Sequence, residues 1–435
     1  MTKFSISCSW LPQKGESELD RTLSKIFISV GDRVVTEYKS EHLPQSEHLE
    51  IPAYYLAEWI TENWWPLLWE PRKNEDVGDD QDFLDRHCIL AAQHGFALPR
   101  VLIVPLGTNI KVSARSRTVP LADDVRFLHS GDVVLPRHDV ESELRKFAQK
   151  IASRLSSQQI IGTTLQELWK LIEETADPEE LTFCQFMGAL GLSPYVPNPR
   201  IEEILESALK AYGKGLVMDL CLASTPEDFG PANRSAEAAY SAIASTPDSD
   251  LGPLSNVQLP PDNVVLPAWQ RGESAAKRLR QKLQISDQDP RGSDQLFELL
   301  KIDPERKATT GANTGENATT PIVVGVVQRN DQAARIALVQ ENERHRRFAA
   351  ARGIFAAWAS ERQESRFLTP SVTRDQQANR AFAAEILAPD AYIRSQAKRG
   401  RISQDRIFEL ASDLNIDSGV VWKHAQNKGL QVVRS

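Results

Sequence analysis

The chain has 435 residues, 41% hydrophobic and 25% charged, with a formal net charge of −8. That length suits about two to four domains, and the acidic balance excludes a protein coated with base for wrapping nucleic acid. No apolar run reaches the ~18–20 residues of a membrane span, the first residues lack a signal layout, and four scattered cysteines without a CxxC pair exclude a disulfide scaffold or a cysteine-rich zinc module. A reduced, cytoplasmic protein with no membrane partner is therefore expected.

Residues 1–50 read as strands. Phe4 to Trp10 and Lys25 to Val30 alternate, and Val34 and Val35 follow the Gly31-Asp32 turn. A helix is predicted from Tyr54 to Trp69, with a break near Trp65 because Pro66 lies inside it. A second helix runs from Phe83 to His94 and stops at Gly95. Strands recur at Arg100 to Val104, Ile110 to Val112 and Asp132 to Leu135. Val140 to Ser156, Thr164 to Glu174, Thr182 to Gly191 and Ile201 to Ala223 carry helical spacing. Pro, Ser, Asp and Gly crowd 224–266, which reads as a linker or a loosely packed excursion with one short helix, Ala236 to Ile243. A helix begins near Leu266 and ends at Leu283, and 303–320 reads as a flexible loop. The predicted class is α+β: an α+β domain at 1–140, a helical region at 141–223, a linker at 224–266 and a mainly helical domain at 267–435.

Charge is uneven. Residues 331–435 hold 17 Lys+Arg against 12 Asp+Glu, a net of +5 that leaves −13 on the rest. This asymmetry reads either as a partner-binding region or as a solvated face built from Arg. Trp59, Trp64, Trp65 and Trp69 crowd one stretch. Their neighbours Leu56, Ile60, Leu67 and Leu68 favour a core over a base-stacking surface, and Glu58, Glu62 and Glu70 disfavour nucleic acid. His87 and His94 are seven apart, about 10 Å along a helix, too far to share an ion; one is expected exposed and the other near a helix end. Cys88 and Cys184 sit in apolar surroundings and read as buried thiols. There is no P-loop, serine elbow or GxGxxG before a helix.

The informative segment is 335–430. Ile336-Ala337-Leu338-Val339 reads as a strand, and a helix holds Arg347-Phe348 through Trp358. Next comes Asp375-Gln376-Gln377-Ala378-Asn379 through Glu385-Ile386-Leu387-Ala388-Pro389, then Ser403 to Val421. This layout resembles the ImmA/IrrE family of zinc metallopeptidase-like proteins over roughly 267–435. In that family an Arg-Phe leads into a helical HExxH, a later segment carries a Glu ligand beside an Ala-Asn-x-Phe-Ala-Ala run, and a helix-turn-helix-like stretch follows. The resemblance points to bacterial mobile elements and stress or phage-defence loci, and to a zincin-like fold.

The motif itself has departed. Zinc hydrolysis needs two His one turn apart and a Glu general base beside the first. Aligned from Arg347-Phe348, those positions hold Arg352, Gly353 and Ala356. Asp375 or Gln377 stands where the third ligand belongs, and neither holds zinc alone. His345 lies upstream of the expected site and His424 far along the chain. No catalytic residue, metal or cofactor is expected. Arg352 is expected either to fill the former metal site and pair with Asp375 or Glu385, or to point to solvent.

The leading function is a non-catalytic pseudo-peptidase that binds a protein partner as a regulator or scaffold. One alternative is an active metallo-endopeptidase with zinc on relocated ligands. Another is a DNA-binding regulator. Gln404 to Leu414 and Ser418 to Asn427 read as a helix pair, with Lys398, Arg399, Arg401, Lys423 and Lys428 as candidate contacts. In the family this segment packs on the peptidase core.

Overall fold

The computed structural model describes residues 3–12, 15–73, 80–116, 125–289, 291–308, 322–361 and 363–433. It is mixed helix and sheet, half helical and under a fifth strand. Every strand pairing described is antiparallel except that of 401–403 with 431–433, the pattern of an α+β protein. The predicted loop over 303–320 lies largely outside the described residues.

The chain divides into two compact units, 1–198 and 199–435. The division falls at none of the boundaries expected at 140, 223 and 266. The reason is packing. Helices after 140 cover the first unit's sheets, the helix after 199 joins the second unit, and the supposed linker folds.

In the first unit β1 (Phe4–Trp10) pairs in antiparallel register with β2 (Leu23–Val30), whose other edge takes β3 (Leu49–Pro52). The expected single helix is two, α1 (Tyr54–Glu62) and α2 (Trp64–Trp69), broken at Asn63. Pro66 falls in the first turn of α2, where its missing N–H is not needed. The helix α3 (Gln81–His87) ends earlier than expected; a 3-10 turn follows, and His94 and Gly95 reverse the chain at φ 38° and 89°. A second sheet joins β4 (Arg100–Pro105), β5 (Asn109–Arg115) and β6 (Gly131–Pro136). The helices α4 (Arg137–Ser157), α5 (Thr164–Glu174) and α6 (Pro178–Ala189) complete the unit. Trp59, Trp64 and Trp65 are buried in its core, with Trp69 packed against it.

In the second unit α7 (Pro199–Ala223) bends at Gly213, where φ is 79°. The expected linker holds α8 (Phe229–Ser241), whose Phe229, Ala232, Ala236 and Ala239 bury one face, and β7 (Asp248–Asp250). After α9 (Ala268–Lys282) and α10 (Gly292–Leu299) come β8 (Gly325–Asn330) and β9 (Ala333–Leu338). The order β7-β9-β8-β10, where β10 is Ser365–Leu368, leaves β10 at an edge. The helices α11 (Glu343–Ala359) and α12 (Arg374–Leu387) pack together, and α12 also packs on α9. At Gly272 a Cβ would run into the Ala378 carbonyl oxygen, so only glycine lets α9 and α12 approach this closely. The chain ends through α13 (Asp390–Gln396), β11 (Arg401–Ser403), α14 (Gln404–Asp413), α15 (Ser418–Asn427) and β12 (Gln431–Val433).

Candidate functional site

The segment aligned with the zinc motif lies in the middle of α11. Arg352 is only 5% exposed. Its Nε donates to Asn379 Oδ1 at 2.9 Å, and its Nη2 to the Thr369 carbonyl at 2.6 Å and Gln376 Oε1 at 2.7 Å. The expected solvent-facing arginine is therefore excluded, and so is the expected carboxylate partner. Gln376 and Asn379 are three apart and share the inner face of α12. Asp375 is turned outward by one position. Burial, with Arg380 adding to it, pushes the Arg352 guanidinium well below its usual pKa.

The other expected positions are dispersed. The Asp375 side chain is 53% exposed and lies 3.6 Å from Arg271 and 3.7 Å from Arg366. Gln377 donates its amide to the Val372 carbonyl at 2.8 Å. Glu385 is buried, and its Oε2 lies 3.2 Å from Nε2 of His424 on α15, although the ring N–H is not aimed at the oxygen. The tertiary structure thus brings together Glu385 and His424, which the sequence separates, but away from Arg352's amides. Ala356 lines a cleft of about 40 Å³ with Phe355, Arg366, Asp375, Gln376 and Asn379. That volume has room for little more than water.

Gly353 faces the sheet. A Cβ there would lie 2.6 Å from Ile336 Cγ2. These residues do not fit a zinc ion: a guanidinium stands at the first position, and neither Gly353 nor Ala356 has a donor. Among the described residues no group of three or more His, Cys, Asp or Glu side chains could hold a metal ion.

The free edge of β10 is occupied by the unit's own side chains. Asp219 on α7 takes a bidentate pair from Arg366, at 3.0 Å for each contact, and accepts the Phe367 N–H at 3.0 Å. Asp219 holds the Arg366 guanidinium firmly charged. The Phe367 carbonyl accepts from Gln376 Nε2 at 2.8 Å, and the Thr369 carbonyl from Arg352. A peptide adding as a further strand would need those same groups. Residue order gave no warning of Asp219, nearly 150 positions before its partner. The available signal was a polar Gln376 and Asn379 at the helical spacing of a buried face.

The candidate DNA contacts fare unequally. Lys398, Arg399, Arg401 and Lys423 are exposed. Lys428 is not a free contact: its side chain is 9% exposed, 2.5 Å from Glu273 and over the Trp269 ring. The paired helices bury Ile407, Leu410, Leu414, Ile416 and Val421 in the unit's core.

The first unit holds a separate buried network. His87 is fully buried rather than merely placed at a helix end. Its Nδ1 lies 2.7 Å from the Ile103 carbonyl and its Nε2 3.0 Å from Glu70. Arg86 grips Glu70 through two nitrogens at 2.8 and 2.7 Å. Burial raises the Glu70 carboxyl, but hydrogen bonds from His87 and Arg86 outweigh it and hold the group at about 2. His94 is exposed and no longer shares a helix with His87, while Cys88 and Cys184 are buried. No helix is long and apolar enough to cross a membrane among the described residues. Comparison of the chain with family models, curated proteins and solved structures gives no match.

Proposed function

We propose that residues 199–435 form a pseudo-peptidase of ImmA/IrrE type that holds a protein partner as a regulator or scaffold and does not cut it. The observation that carries this reading is Arg352. A guanidinium bonded to three neutral oxygens occupies the place where the motif needs its first histidine. Gly353 supports it, since the position of the general base is pressed against Ile336. The capping of Phe367 and of the Thr369 carbonyl supports it again, because a substrate strand would have to displace the side chains that hold those peptide groups.

A protein is favoured as the bound molecule by apolar surface held in one shape. Val265, Leu266 and Trp269 are 77%, 46% and 44% exposed at the start of α9. Arg374 fixes their loop by bonding Asp262 at 2.6 Å, the Asn263 carbonyl at 3.0 Å and the Leu266 carbonyl at 3.2 Å. Rigid exposed apolar side chains are a common feature of protein-binding sites.

The test is elemental analysis of untagged, full-length protein, combined with a peptidase assay on unstructured protein substrates. The expected result is no stoichiometric zinc and no cleavage with zinc added. A stoichiometric ion together with chelator-sensitive cleavage would overturn the reading in favour of relocated ligands.

A further inference from the structure

The first unit contains a cavity that the pseudo-peptidase reading leaves without a role. Its volume is about 640 Å³, within the ~300–1,000 Å³ range of small-molecule sites. One wall is α1, with Tyr55, Glu58, Trp59 and Glu62; the facing wall comes from α3 and the turn after it, with Asp85 and His94.

The walls are aromatic. The His94 ring lies flat on Tyr55, with centroids 4.2 Å apart and planes 13° apart. Trp59 is fixed by its indole N–H, which donates to the Asp85 carbonyl at 2.7 Å. The left-handed turn at His94 and Gly95 is what returns the ring to Tyr55.

The walls also carry three carboxylates. Glu58 and Glu62 are one turn apart on α1, and Asp85 faces them. Among the described residues none of the three is in a salt bridge. Glu58 accepts from the Tyr54 hydroxyl at 2.7 Å and Asp85 from the Gln81 amide at 2.6 Å. Arg86 also lines the cavity, but its charge is committed to Glu70; Arg100 is the other cation on the lining. Burial and the neighbouring Glu58 raise the Glu62 carboxyl, against a smaller opposing effect of His94. Aromatic faces and carboxylates together select cations: ring faces attract an ammonium or guanidinium within ~6 Å, and the acids supply the charge.

We propose that this cavity binds an organic cation, with an ammonium or guanidinium group shared among Glu58, Glu62 and Asp85 and its carbon body against Tyr55, Trp59 and His94. The same chemistry belongs to free polyamines and to lysine or arginine side chains. Titration calorimetry on the full chain separates these sources. One arm uses spermidine and agmatine, the other blocked dipeptides with a single Arg or Lys. Glutarate, of similar size and opposite charge, is the control.

Saturable binding in either arm, at least ten-fold tighter than glutarate, is expected. A ten-fold or greater loss in the double variant Glu58→Gln, Glu62→Gln is expected with it. The Gln at 58 still accepts from Tyr54, and circular dichroism verifies the fold. Tyr55→Leu is expected to weaken binding without changing its dependence on salt. Unchanged affinity in the folded double variant, or no saturable heat with any cation at millimolar concentration, overturns the proposal.

Discussion

Placing a side chain at Gly353 is expected to destabilise the second unit. A Cβ there would lie 2.6 Å from Ile336 Cγ2 and 3.3 Å from its Cδ1. Carbon contacts are comfortable at ~3.5–4.0 Å, so about 1 Å of overlap must be absorbed. Ile336 is β-branched and buried in β9, with little rotamer freedom, so helix and sheet must part. Overpacking of this kind costs ~1–3 kcal/mol. Helix propensity acts the other way, because alanine in place of an interior glycine gains ~1 kcal/mol. The packing term is the larger, and Gly353→Ala is expected to lose up to about 2 kcal/mol net. Gly353→Glu adds a buried carboxylate with no base placed for it, raising the loss to ~4 kcal/mol or more. Hydrogen exchange read by mass spectrometry on peptides spanning 333–359 is the suitable assay, since a chain of two units does not unfold with one free energy. About ten-fold faster exchange is expected for the alanine variant, as ~1.4 kcal/mol is a factor of ten. Slower exchange would mean that propensity acts alone, and would refute the close approach of α11 to β9.

Acid stability of the first unit is expected to depend on Glu70. Its folded value of about 2 lies below the ordinary value of 4.5, so its contribution is complete above about pH 4.5 and is lost as pH falls towards 2. A difference of that size corresponds to ~3 kcal/mol. Tryptophan fluorescence during acid titration should show Glu70→Gln less stable at neutral pH and missing this acid-dependent component. Equal acid titrations of the two proteins would contradict it. Asp219→Ala removes the bidentate partner of Arg366, leaving it the longer contacts to Glu364 and Asp375, and exposes the Phe367 N–H. A loss of ~2–4 kcal/mol is expected, seen as faster exchange of the Phe367 amide, whereas an unchanged rate would show that the β10 edge is protected by something else.

Much of the chain's local structure was legible in residue order. Alternation marked β1 and β2, because a strand with one buried face repeats every two residues, and short Val-, Ile- and Leu-rich runs marked β4 to β6. Helical spacing marked α5, whose start is closed by a capping box of Thr163 with Gln166, whereas α6 begins at Pro178 behind the Asp177 cap, four residues before the expected Thr182. The tryptophan-rich stretch was readable as core from its Leu and Ile neighbours. Errors arose where composition stood in for packing. Pro and Ser in 224–266 suggested a linker, yet an alanine face was enough to fold α8 against the unit.

That Gly353 and Ala356 offer no donor atom was legible in the sequence, since no conformation supplies one. What surrounds Arg352 was decided by tertiary structure alone. A helix position points inward or outward according to what packs against it, and the rotation of α12 turned Gln376 and Asn379 towards Arg352 while leaving Asp375 outside. Asp219 reached Arg366, and His424 reached Glu385, only because folding closes long loops at a cost that grows slowly with their length. Sequence fixed which side chains were available; the packing of α7, α11, α12 and α15 determined which of them meet.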